Sequence, residues 1–178
     1  MPNTYTKLAS STLSTTTTIL EFDNINSSYR NLIMSVYCRS NRASNYQDIL
    51  ELRFNDNANA IYSTQYFYLQ STLPDAGRSS LNTAQRSGYF IPATSVTDSS
   101  IFSSFWLTIP SYSTNNGNLD KRSLFFGGFT NSTSSTGQFG AGMGGSRTGA
   151  SVPITKIRFT NVFGSFVSGS IFTLYGID

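Results

Sequence analysis

The chain has 178 residues, the size of a single domain. It is 38% hydrophobic, 14% aromatic and only 12% charged, with a formal net charge of +3. Fourteen Phe and ten Tyr exclude a disordered chain, which combines high charge with few rings. The low, scattered charge argues against a strongly basic nucleic-acid binder.

Ser, Thr and Asn compete for backbone hydrogen bonds in helices, whereas Thr, Tyr and Phe suit a pleated surface. No window shows a 3.6-residue apolar period, so little or no helix is expected. Tyr5 to Ser10 reads as a first strand, followed by a Ser/Thr tract. In Thr17 to Asp23, Leu20 and Phe22 share one face, and Ile19, Glu21 and Asp23 the other. After a turn at Asn24 to Ser28, Asn31 to Arg39 sets Leu32, Met34, Val36 and Cys38 on one side. Ile33 and Tyr37 lie opposite, a pattern that allows burial on both sides. Asp48 to Asn55 opposes Leu50, Leu52 and Phe54 to Ile49, Glu51 and Arg53.

The turn Asn55-Asp56-Asn57 leads into Ala60 to Gln70, where Ile61, Phe67 and Leu69 oppose Tyr62, Tyr66 and Tyr68. Such a tyrosine face is apolar near the backbone and offers hydroxyls to water or a partner. Ser71 to Ser87, with Pro74-Asp75-Ala76-Gly77, reads as a long excursion with at most a short strand. Tyr89 to Ile91 is expected to pair briefly before Pro92. Ile101 to Ile109 is a strong strand with Ile101, Phe105, Leu107 and Ile109 inward, and Phe102 and Trp106 opposite. A turn at Asn115 to Asn118 precedes a strand from Lys121 to Thr130 that contains Leu124, Phe125, Phe126 and Phe129.

Residues 131–151 form a Gly/Ser/Thr-rich loop or flat strand region, with a strand expected near Phe139 to Met143. Ile154 to Thr160 opposes Ile157 and Phe159 to Lys156 and Arg158; after a turn at Gly164 to Ser170, Ile171 to Ile177 closes the chain. About eight to ten short, regularly spaced strands predict an all-β, single antiparallel β-sandwich, jelly-roll-like. That domain would span residues 1–178, with 1–4 as an N-terminal arm.

The chemistry-bearing residues are few. The absence of His removes the Ser-His-Asp and Cys-His mechanisms and most zinc sites. Cys38 has no disulfide partner and no activating base, and sits in an apolar run as a small buried hydrophobe. Glu21 and Glu51 lie on polar strand faces, which accounts for them better than a carboxylate pair. Asp56 offers calcium an oxygen ligand but lacks the charge and spacing of a calcium-binding loop, and turn chemistry accounts for it. The glycines of Gly137 to Gly149 are not followed by the Gly-Lys-Ser/Thr of a phosphate loop.

No catalytic residue, cofactor site or metal ligand is therefore expected, and the chain is not read as an enzyme. Arg39/Arg42, Lys121/Arg122 and Lys156/Arg158 read as solvated surface charge rather than a nucleic-acid stripe. No apolar run approaches the roughly 20 residues of a membrane span. Without a basic-then-apolar leader, folding in a cytoplasm is expected. The candidate partner surface is Tyr62, Tyr66, Tyr68 and Trp106, whose rings could stack on sugars or bases; a core or interface role is the plainer alternative.

The stretch Ile154-Thr155-Lys156-Ile157-Arg158-Phe159 through Gly169-Ser170-Ile171-Phe172-Thr173-Leu174-Tyr175-Gly176-Ile177 resembles a recurring ending in small virion proteins of tailed phages. Such proteins are familiar from phages of cyanobacteria and other aquatic bacteria. Ser14 to Ile19, Tyr29-Arg30-Asn31-Leu32, and Leu52-Arg53-Phe54-Asn55 with Tyr62-Ser63 agree with that family, in order along the chain. Members often have Gly where this chain has Asp56.

The resemblance implies a β-sandwich of the phage particle, on the head or the tail. The expectation drawn from it is a capsid decoration or cement protein on the virion surface, made in the host cytoplasm. Its partners would be the major capsid protein and further copies of itself, a homotrimer being favoured, with no nucleic acid, membrane or cofactor. The alternative is a tail-tip or fibre head that binds a host-surface glycan or receptor, with the four rings as a shallow sugar platform.

Overall fold

The computed structural model describes residues 4–70, 73–87, 91–93, 99–114, 121–130, 138–146 and 152–178. Among them there is no helix, and every paired strand runs antiparallel to its neighbours. The first half contributes β1 (Tyr5–Thr12), β2 (Ile19–Phe22), β3 (Asn31–Cys38), β4 (Gln47–Asp48), β5 (Leu50–Phe54), β6 (Tyr62–Gln70) and β7 (Leu73–Asn82). The second half contributes β8 (Gln85–Arg86), β9 (Ile91–Pro92), β10 (Ser103–Ile109), β11 (Lys121–Phe129), β12 (Gln138–Ser146), β13 (Ile157–Asn161) and β14 (Ile171–Ile177).

The large sheet has the order β1-β14-β3-β10-β11-β12-β6-β7 and the small sheet β2-β13-β5-β8; β4 and β9 form a separate ribbon. Eight strands carry the sandwich. β1, β14, β3 and β10 form one layer, and β2, β13, β5 and β8 the other, in the alternating connection of a double-sheet jelly roll. Two hairpins extend the first layer beyond β10: β11–β12 is inserted before β13, and β6–β7 between β5 and β8.

Alternation along each strand builds the core. Leu20 and Phe22, Leu50, Leu52 and Phe54, and Ile157 and Phe159 point inward from the small sheet. They meet Leu32, Met34, Val36, Phe105, Leu107, Ile109, Phe172 and Leu174 from the large one. Phe159 and Phe172 join the layers with ring centroids 5.5 Å apart, and Phe166 stands edge-on to Phe172 at 5.0 Å. Such tilted pairs suit the ring quadrupoles and add roughly 0.5–1.5 kcal/mol to the area they bury. Cys38 lies in this core, as expected.

Several expectations change. Fourteen strands occur among the described residues rather than eight to ten: β7 falls where mostly loop was expected, and β4 and β8 are two-residue pieces too short to signal. β3 is buried on one side only: Tyr37 is exposed and Ile33 half-buried. Residues Leu73–Asn82, expected to be mostly loop, form a ten-residue strand. As the edge of the large sheet, β7 tolerates Pro74 near its start, where a missing ladder donor costs little. The Gly-rich strand extends well past Met143, to Ser146. Expectations for Met1–Asn3, 88–90, 115–118, 131–137 and 147–151 lie outside the described residues.

Candidate functional site

The four rings singled out from the sequence do not share a surface. Tyr62, Tyr66 and Tyr68 point to the inner side of β6; Tyr62 is fully buried and Tyr68 nearly so. The Tyr62 hydroxyl donates to the Asn57 carbonyl at 3.0 Å and accepts from the Phe54 N–H at 3.1 Å. The Tyr68 hydroxyl donates to Asp75 Oδ2 at 2.7 Å, and Tyr66 stacks on Tyr68 with centroids 6.1 Å apart. Trp106 is on the outer face of β10. The alternation of β6 is as expected, but its faces are inverted: the tyrosines line the interior, where the Tyr62 and Tyr68 hydroxyls find partners, and Phe67 and Leu69 face out.

The outward face of the large sheet is where large apolar groups collect. Register places Trp106, Phe126, Ala141 and Phe67 side by side across β10, β11, β12 and β6. Leu124 and Met143 flank that row on one side; Phe139, Leu69 and Tyr37 lie on the other. Tyr37, Phe67, Leu69, Trp106, Leu124, Phe126, Phe139 and Met143 are each between 41% and 56% exposed. Large side chains of this kind carry about 150–250 Å² apiece, so eight half-exposed ones present on the order of 800 Å². That exceeds the largest apolar patch of most monomers, about 300–600 Å², and matches one partner's share of a standard interface.

The opposite outer face, on the small sheet, is charged. Lys156 Nζ lies 2.8 Å from Asp56, 3.1 Å from Glu21 and 3.4 Å from Asp23. Arg158 pairs with Glu21, and with Asp56 at 2.9 Å; Arg86 pairs with Glu51 at 3.0 Å. The hydrogen bond from Lys156 holds the Asp56 carboxyl below its ordinary pKa, and the same contact raises that of Lys156. At Glu21, desolvation favours the neutral acid, but hydrogen bonds from Arg158 and Lys156 outweigh it and lower the pKa. Asp56 thus serves this network as well as its turn. Lys156 and Arg158, read from sequence as solvated charges, are its cationic centre. Among the described residues there is no cluster of three or more metal-ligating side chains.

A trough of about 360 Å³ opens beside the apolar face. Gly145 and Ser63 pair on the two middle strands, β12 and β6, and form its floor. Arg122 on β11 and Arg78 with Ser80 on β7 form its sides; Met143 and Gln65 close it towards the apolar rows. Buried Lys121, at the same end of β11, is committed to structure: its Nζ donates to the carbonyls of Tyr112 at 2.9 Å and Thr114 at 2.7 Å. Buried Asp48 is likewise occupied, accepting from Ser40 at 2.6 Å and from the Ile49 N–H at 2.8 Å.

No protein-family model matches the chain, and no curated protein matches it either. The outward residues Phe67, Leu69, Phe126, Phe139 and Met143, and the trough arginines, were not anticipated as a site. The alternation of β6 and β11 separated two faces, but nothing local said which of them a second layer would cover.

Proposed function

We propose that this chain is a non-enzymatic structural protein of a tailed-phage particle, a decoration or cement protein that attaches through the outer face of its large sheet. The segregation of the two outer faces carries the reading. One face offers an aromatic-rich apolar patch of interface size, and the other a solvated ion-pair network, as suits a molecule with one adhesive and one wet side. An apolar contact of this kind is little weakened by salt, because screening acts on exposed charges. The partners are the major capsid protein and neighbouring copies of the chain, as a trimer.

Copy number per purified virion, by quantitative mass spectrometry against the major capsid protein, tests the reading. A ratio commensurate with the capsid lattice, together with binding of the purified chain to empty capsids, supports it. A low copy number that stays with isolated tails overturns it in favour of a tail-tip or fibre head.

A further inference from the structure

The trough beside the apolar face has the composition of a ligand site, whichever part of a particle carries the chain. Its shape follows from the register. The middle strands contribute the small residues Gly145 and Ser63, while the flanking strands β11 and β7 carry Arg122 and Arg78. Three strand spacings of about 4.8 Å separate the strands that bear the arginines, so two long side chains can close on one guest from both sides.

The register between β6 and β7 also shifts here. Tyr62 pairs with Asn82 and Thr64 with Ser79, which leaves Ser63 facing an extra residue of β7. A bulge of this kind bends the strand and re-aims its side chains, and bulges are over-represented at sheet edges, where β7 lies, and next to active sites. The volume of about 360 Å³ falls within that of small-molecule sites.

Among the described residues the charge is uncompensated. Every ion pair among the described residues lies on the small sheet, and neither Arg78 nor Arg122 meets a carboxylate among them. A guanidinium fork matches a planar carboxylate with two parallel hydrogen bonds. The rest of the lining is uncharged: Ser63, Ser80 and Gln65 supply donors and acceptors for alcohol groups, and Met143 and Ile61 supply apolar edges for C–H surfaces.

We propose that the trough binds a saccharide that carries a carboxylate, of the uronic-acid type. Arg78 and Arg122 take the carboxylate, the serines and Gln65 meet the ring hydroxyls, and Met143 lies against the ring edge. The carboxylate of a protein side chain suits the site less well, since it would fill a small part of the volume and leave the hydroxyl lining unmatched.

Isothermal titration of the full chain tests this with three probes: a glucuronate-containing disaccharide, its glucose counterpart, and glutarate. The glucuronate disaccharide should bind, more weakly as salt rises. The glucose counterpart, and the Arg78→Gln and Arg122→Gln variants, should each lose about tenfold in affinity, as expected for a missing charge-assisted hydrogen bond. Arg86→Gln, whose side chain pairs with Glu51 on the other sheet, should bind as the wild type does. Ser63→Phe keeps both charges, places an aromatic on an exposed strand position and fills the floor, so it should abolish binding. Failure of the glucuronate disaccharide to bind overturns the proposal, as does equal binding of the glucose counterpart or full binding by Ser63→Phe. Glutarate binding as tightly as the disaccharide also overturns it, and assigns the trough to the acidic side chain of a protein partner.

Discussion

Tyr62 is a large polar ring placed wholly inside, and its hydroxyl explains how that is tolerated. It bridges the start of β6 to the end of β5 through Phe54 and Asn57, so one side chain ties the inserted hairpin to the sandwich. Tyr62→Phe leaves the Phe54 N–H and the Asn57 carbonyl short of a partner; urea denaturation should show a loss of about 1–2 kcal/mol with an unchanged m-value. Cys38 is the complementary case. Burial pushes its thiol up to about 12, from an ordinary 9.0, despite the nearby Ser103 hydroxyl. A raised pKa favours the protonated native state, so this contribution is complete below pH 9 and fades as pH climbs towards 12. The stability gap between wild type and Cys38→Ala should accordingly narrow above pH 9. Ellman's reagent should find no reactive thiol until the chain is unfolded in urea.

Among the elements, β11 is closely flanked at its two glycines. Gly127 has a φ of 143°, and a Cβ there would collide with the Ser104 carbonyl and with Phe105 on β10. The next residue, Gly128, faces the Gln138 carbonyl of β12 in the same way. Gly127→Ala therefore combines a strained backbone with a steric clash, and thermal melts should report a loss of at least about 1–3 kcal/mol. β2 and β13 are joined along their outer side by the network around Lys156. Because the Glu21 and Asp56 pKa values are lowered, the stability they lend is present above their ordinary values of 4.5 and 3.8. It is lost as pH falls through the depressed values. Lys156→Ala should flatten the acid limb of a plot of melting temperature against pH, and 1 M salt should reproduce part of that flattening in the wild type.

At the scale of the whole molecule, the hairpins β11–β12 and β6–β7 widen one layer of the jelly roll, and most of the exposed apolar patch lies on that widening. Phe67 and Phe126 are each more than half exposed, so the core does not depend on them. Replacing both with Ser should cost no more than about 2–3 kcal/mol each, since about half of each ring is already in water, and should leave the chain folded. The same double variant should lose attachment to empty capsids and bind less of an apolar dye such as ANS. A variant that keeps both would remove the large sheet from the docking role.

Much of the sandwich is legible in the chain because a strand repeats every two residues. Leu20 with Phe22, Leu50 with Phe54, and Ile157 with Phe159 mark their own inner faces, and the buried Cys38 follows from the apolar run around it. Where both faces of a strand are aromatic, as in β6, the pattern separates the faces but not inside from outside. That choice depends on where Asn57 and Asp75 stand to receive the tyrosine hydroxyls. The edge position of β7, which lets Pro74 and Gly77 lie in a strand, has no local signal either. The trough brings Arg78 and Arg122 together through four strands, although 44 positions separate them in the chain. The sequence by itself determined an all-β chain, the inward residues of strands with one apolar face such as β2, β5 and β13, and its lack of His, since these follow from composition and a two-residue period. Tertiary structure alone decided which aromatic face meets solvent and where Arg78 and Arg122 gather, because both depend on strand order, which is set by contacts between residues far apart in the chain.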